Sequence, residues 1–126
     1  MNERVIVNEI FKILRPSECA ELAQALVFNG SEHDVRDGFI HLSTAAQAPG
    51  TAAKHFAGDG DLWLLCTESP LLGESLHWEE SRGGALFPHL YRPLTLRDVA
   101  WIRPLPLGPD GRHLFPADIA WGPVDA

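Results

Sequence analysis

The chain has 126 residues, 45% hydrophobic and 21% charged, with a formal net charge of −7. That length suits one domain better than two, and the composition is that of an ordinary globular protein. The acidic balance and ten scattered basic residues disfavour tRNA or DNA as a partner, because such surfaces need clustered Lys and Arg, and no apolar run is long enough to span a bilayer.

Met1-Asn2-Glu3-Arg4 lacks the basic start and long apolar core of a signal peptide, so the expected location is the cytoplasm. Ten prolines and eleven glycines predict many turns and short elements. Val5–Leu14, rich in β-branched residues, reads as a first strand. Pro16–Phe28 reads as a helix, with Cys19, Leu22, Ala23, Leu26 and Val27 at helical spacing and Asn29-Gly30 as its stop. Ser31–Asp37 is polar and reads as a loop, and Gly38–Ser43 as a second strand. Thr44 and Gln47 have capping-box spacing, which predicts a helix over Ala45–Phe56 with Thr44 as N-cap. Pro49 predicts a kink there, or a short turn followed by a helix from Thr51.

Asp61–Thr67 is a nearly continuous apolar run and reads as a central strand. Ser69–Gly73 reads as a loop, Leu76–Glu79 as a short strand, Ser81–Gly84 as a turn and His89–Leu94 as a further short segment. Val99–Leu105 is the final strand, followed by a Pro- and Gly-rich tail. Strands and helices alternating early, then mainly strands, predict an α+β domain. Cys19 and Cys66 read as buried thiols, and no spacing suggests structural zinc.

Two constellations carry candidate chemistry. Asp37-Gly38-Phe39-Ile40-His41-Leu42-Ser43-Thr44 brings an imidazole and two hydroxyls to a strand-to-helix junction, where free N–H groups favour an anion. Trp78 to Tyr91 gathers Glu79, Arg82, His89 and Tyr91 among aromatic walls and a glycine pair, the make-up of a small-molecule pocket. His33, His55, His77 and His113 read as surface or element-edge residues. There is no GxSxG context for a serine hydrolase and no Rossmann glycine run.

The segments DGFIHLSTAAQ, TAAKHFAGDGDLWLL, LHWEESRGG and LFPHLY, in this order, resemble the bacterial domain of unknown function 952 family over roughly residues 5–116. Pro49 and Lys12 depart from the family pattern, Lys12 lying where relatives often carry a histidine. That family is grouped with the ADP-ribosyltransferase-like fold and is similar to tRNA 2′-phosphotransferases, which also carry a His-Leu-Ser strand. The resemblance implies a single domain of two small packed sheets with two or three helices, and a pocket where such transferases hold NAD. By that analogy His41 and Glu79 would be catalytic, with Glu79 stabilising the reacting ribose. Lys12, Ser43, Thr44, Arg82, His89 and Tyr91 would bind ligand. The phosphotransferase arginine set is not evident, Arg36, Arg82 and Arg92 being the only nearby candidates.

Three readings therefore stand: an ADP-ribosyltransferase-type enzyme acting on NAD or an ADP-ribose derivative, a non-catalytic nucleotide or small-anion module, and a metal-dependent hydrolase using His41, His89 and Glu79. In all three the expected partner is a small molecule.

Overall fold

The computed structural model describes residues 8–124, so Val5–Val7 of the predicted first strand lie outside the described residues. In chain order the elements are β1 (Glu9–Leu14), α1 (Pro16–Ala25), β2 (Val27–Phe28), α2 (Glu32–Asp37), β3 (Ile40–His41), β4 (Ser43–Thr44), α3 (Ala48–His55), β5 (Leu62–Glu68), α4 (Ser69–Leu72), β6 (Leu76–Glu80), β7 (Leu86–Leu90), β8 (Leu94–Thr95) and β9 (Val99–Leu105). Single 3-10 turns lie at Gly73–Ser75, Arg82–Gly84 and Leu96–Asp98. The class is α+β, with several small antiparallel sheets rather than the expected two: β4-β1-β5-β9, β2-β8 and β3-β7-β6.

β1 and β5 are the central strands of the largest sheet and are buried on both faces, which is why β5 reads as an apolar run. Alternation divides their side chains between two cores. Ile10, Leu14 and Leu65 join Leu22, Phe28, Ile40 and Leu90 on one side. Phe11, Ile13, Leu64 and Cys66 join Ala48, Ala52 and Leu105 on the other. Cys66 is fully buried, and burial, followed by the charges of Glu9 and Glu68, pushes its thiol up to about 12. Cys19 is only partly buried in α1.

Several boundaries differ from the sequence reading. α1 stops at Ala25, because Leu26 takes a left-handed φ of 62° and Val27–Phe28 pairs with Leu94–Thr95. Ser31–Asp37 is not a loop. Ser31 Oγ accepts the Asp34 N–H and Asp34 Oδ2 accepts the Ser31 N–H, a reciprocal cap that starts α2. Gly38 ends it at φ 87°, a left-handed conformation that glycine adopts without a Cβ penalty.

The predicted strand Gly38–Ser43 is two strands in two sheets, with buried Leu42 between them. Thr44 and Gln47 do exchange hydrogen bonds, Gln47 N–H to Thr44 Oγ1 and Thr44 N–H to Gln47 Oε1. They close a turn, however, and the helix begins at Ala48. Pro49 then sits in the first turn, where no N–H is needed, and no kink follows. The expected anion-binding helix start beside Ser43 is therefore absent. Ser69–Leu72 is a short helix rather than a loop.

The tail packs back on the second core: Trp121 meets Phe11 at 4.7 Å between ring centroids, and the Gly122 N–H donates to Ala45 O. A Cβ at Gly122 would fall inside the Ala46 backbone. Gly122→Ala is expected to push the tail off, destabilise the fold by about 1–3 kcal/mol and shift the Trp fluorescence. An unchanged thermal midpoint would count against this packing. Among the described residues no helix is long and apolar enough to cross a membrane.

Candidate functional site

A cleft of about 1000 Å³ opens between α2, α3 and the edge where β3 meets β7. At its base Lys12 emerges from β1 on the face that also carries Ile10 and Leu14. A cation there needs an acidic partner, and α2 supplies it. Lys12 Nζ lies 2.9 Å from Asp34 Oδ2 and donates to Asp34 Oδ1 at 3.2 Å and to His41 O at 3.0 Å.

Asp34, 2% exposed, is the hub of the site. Besides Lys12 it accepts the Ser31 N–H at 2.8 Å, the His41 N–H at 3.1 Å and His41 Nδ1 at 2.7 Å. Burial pushes its carboxyl up, but the His41 hydrogen bond, the Lys12 charge and the backbone donors outweigh it. They hold Asp34 well below the usual carboxylate range.

His41 is thereby fixed in orientation. Its other nitrogen, Nε2, lies 3.0 Å from Asp37 Oδ2. Arg36 Nε donates to the second oxygen of Asp37 at 3.0 Å. The imidazoles form a row along the cleft: His55 and His33 at 6.0 Å between ring centroids, His33 and His41 at 4.6 Å, and His41 and His89 at 5.5 Å. Phe39 covers both His41 and His89, at 4.5 and 4.1 Å. The lining also carries Lys54, near the end of α3, and Arg82, whose guanidinium sits 5.0 Å over the Phe87 ring. His33 and His55 are both held below the ordinary imidazole range. Desolvation by the cleft walls comes first, followed by His41 and Arg36 for His33, and by Lys54, His33 and Arg82 for His55.

The structure brings five of the eight sequence-predicted residues into this lining: Lys12, His41, Ser43, Arg82 and His89. Ser43 is nearly buried and shares a hydrogen bond with Thr51 at 2.9 Å. Lys12 lines the base, but its ammonium is engaged by Asp34 and a carbonyl, so it positions α2 and β3 rather than offering a free charge. Thr44 is engaged in its turn with Gln47 and lies outside the lining.

Glu79 and Tyr91 also lie outside it. Glu79 Oε1 accepts His89 Nδ1 at 2.8 Å and the Tyr91 hydroxyl at 2.7 Å. These two bonds, Tyr91 first, lower the Glu79 carboxyl, and the same bond raises the Tyr91 phenol. Glu79 thus sits behind His89 and reaches the cleft only through that ring. Of the three arginines considered, Arg36 and Arg82 line the cleft, while Arg92 is tied to Asp98 at 2.7 and 3.0 Å. His41, His89 and Glu79 do not converge as metal ligands among the described residues.

Sequence reasoning missed Asp34, Asp37, His33, Lys54 and His55. A usable signal was present for the first: a buried Lys in an apolar strand demands an acid, and Ser31 to Asp34 has capping-box spacing.

The family model described as "Protein of unknown function (DUF952)" matches residues 13–102. No curated protein matches the chain. Among solved structures, the crystal structure of protein CC0527 from Caulobacter crescentus is 49% identical, covering 84% of this chain and 93% of that one, with a TM-score of 0.81. The solution NMR structure of the same protein is 50% identical over 82% of this chain and 90% of that one, with a TM-score of 0.75.

Proposed function

We propose, for a chain that belongs to the DUF952 family of proteins of unknown function, that the cleft binds a small phosphate-bearing ligand of nucleotide type. The observation that carries this reading is the distribution of charge. In a chain of net charge −7, five of the ten basic residues and four of the six histidines line one cleft. Of its four acids, Asp34 is committed to Lys12 and His41, Asp37 to Arg36 and His41, and Glu18 to the Arg15 N–H, which leaves Glu32. Lys54 and Arg82 make no ion pair among the described residues. A volume of about 1000 Å³ suits a ligand of that size.

The resemblance of the His41-Leu42-Ser43 segment to ADP-ribosyltransferase-like proteins makes NAD and ADP-ribose the first probes. The placement of Glu79 favours binding over transfer. A transferase acid must bond the ribose, whereas Glu79 stands behind His89 and is engaged by Tyr91. Thermal unfolding with NAD, ADP-ribose, AMP and inorganic phosphate tests the reading. A ligand at 100 times its Kd stabilises by about 2.7 kcal/mol, a rise of about 10 °C in Tm for a domain of this size. A flat response to all four would overturn the proposal. Nicotinamide release abolished by Glu79→Gln would replace it with the transferase reading, while NAD recovered intact supports binding alone.

A further inference from the structure

We infer that His33, Asp37 and His41 form a site for one first-row divalent cation of the zinc class at the mouth of the cleft. The three residues recur at intervals of four, and the fold makes that spacing useful. His33 and Asp37 are one turn apart on α2 and so share a face. Gly38 then reverses the chain in a left-handed conformation, its N–H and that of Phe39 both donating to Asp34 O. The reversal returns His41 to the same spot on β3.

One ligand atom from each of the three lies within 4.8 Å of the others. Two of the edges are already close to the separation, about 3.3 Å, that tetrahedral zinc with bonds of about 2.0–2.1 Å imposes on its ligands. His41 Nε2 to Asp37 Oδ2 is 3.0 Å, and His33 Nε2 to Asp37 Oδ2 is 3.5 Å. Half-exposed His33 can turn to close the third.

The surroundings are those of a ligating histidine. Asp34 accepts from His41 Nδ1 at 2.7 Å, the carboxylate–imidazole pairing that fixes the tautomer and leaves Nε2 to coordinate. Arg36 bonds Oδ1 of Asp37 and leaves Oδ2 for a cation. Arg36 also opposes the site. Its Nη2 lies 2.7 Å from His33 Nδ1, and a guanidinium only donates, so the ring proton of His33 resides on Nε2 in this arrangement. Cation binding therefore moves that proton to Nδ1, displaces any proton on His41 Nε2 to solvent, and turns the exposed Arg36 aside. Three protein ligands leave a fourth position open toward the cleft, the pattern of a reactive rather than a structural zinc site.

The test uses the full, untagged chain stripped with a chelator and titrated with Co²⁺, then displaced by Zn²⁺. The expected result is one equivalent of Co²⁺ with visible ligand-field bands, bleached by Zn²⁺. Asp37→Asn and His33→Gln should each weaken binding by more than the 10- to 100-fold that loss of an outer-shell partner costs. Their metal-free circular dichroism and thermal midpoints should match wild type. His113→Gln, remote from α2 and bonded to Asp59 O, should bind as wild type does. Absence of one-to-one binding, or wild-type affinity in Asp37→Asn and His33→Gln, overturns the site. Because the metal alone is the probe, either outcome is separable from the fate of the nucleotide reading.

Discussion

Asp34→Ala is expected to destabilise the protein by about 3–5 kcal/mol, the cost of leaving a buried charge without its partner, measured by urea unfolding at neutral pH. The magnitude follows from what the carboxylate holds. Lys12 emerges from the central strand with its side chain 10% exposed, and among the described residues Asp34 is the only acid paired with it. Removing the carboxylate also strips acceptors from the Ser31 N–H that starts α2 and from both donors of His41. Lys12→Met should cost less, because the apolar replacement suits that strand and Asp34 keeps its other donors. The double variant should therefore cost less than the sum of the two.

The acid limb gives a second readout. Because the folded-state carboxyl is lowered, its contribution is present above the unfolded value of about 3.9 and is lost as pH falls through the folded one. The gap between wild type and Asp34→Ala should narrow below about pH 4. A cost under about 1 kcal/mol, unchanged with pH, would show that the hub does not hold the base of the cleft.

The same residues show what could be read from the sequence. β5 is legible as an apolar run because burial on both faces removes the alternation that an edge strand would show, and β1 is legible from its β-branched and aromatic residues. α2 was not, because Glu32–Asp37 has no apolar stripe. Only Asp34 is buried in it, and by ion pairing rather than by hydrophobic packing. The Ser31–Asp34 cap was available but spoke for a helix that hydrophobic periodicity denied. At Thr44 the reverse held: the bonds of the predicted capping box form, yet Pro49 sets the helix start at Ala48.

Which strands pair is a long-range matter. β2 and β8 are two residues each, about 67 positions apart, and local propensity does not link them. For the site, His41, Ser43, Arg82 and His89 were visible as polar residues near strand ends and glycines. Glu79 is expected to be catalytic only because the family resemblance puts it in the place of the transferase acid. The pleat instead places it beside His89 Nδ1, where it orients that ring.

Reversing charge in the lining of the cleft, with Lys54→Glu and Arg82→Glu together, is expected to weaken phosphate-ligand binding by about 100-fold or more. A hydrogen bond to a charged group contributes about 1.5–3 kcal/mol, and two are lost. Both side chains lie on the rim, Lys54 exposed and Arg82 stacked on Phe87, so the ligand-free protein should unfold near the wild-type midpoint. Isothermal titration with whichever of NAD, ADP-ribose, AMP or phosphate binds wild type measures the loss.

The pH profile then separates charge from shape. His33 and His55 are held low by desolvation and by neighbouring positive groups, so near neutrality they are mostly uncharged. As pH falls below about 6.5, the unfolded chain takes up protons that these two resist, and ligand-free stability declines in that window. A bound phosphate offsets the cations, lets both rings protonate, and so binds more tightly as pH falls. In the charge-reversed variant the two new carboxylates already favour protonation, so the ligand has less to add and its pH dependence flattens. Affinity independent of pH in wild type, or a double variant that binds as wild type does, would mean that Lys54, Arg82 and the imidazole row do not meet the ligand's charge.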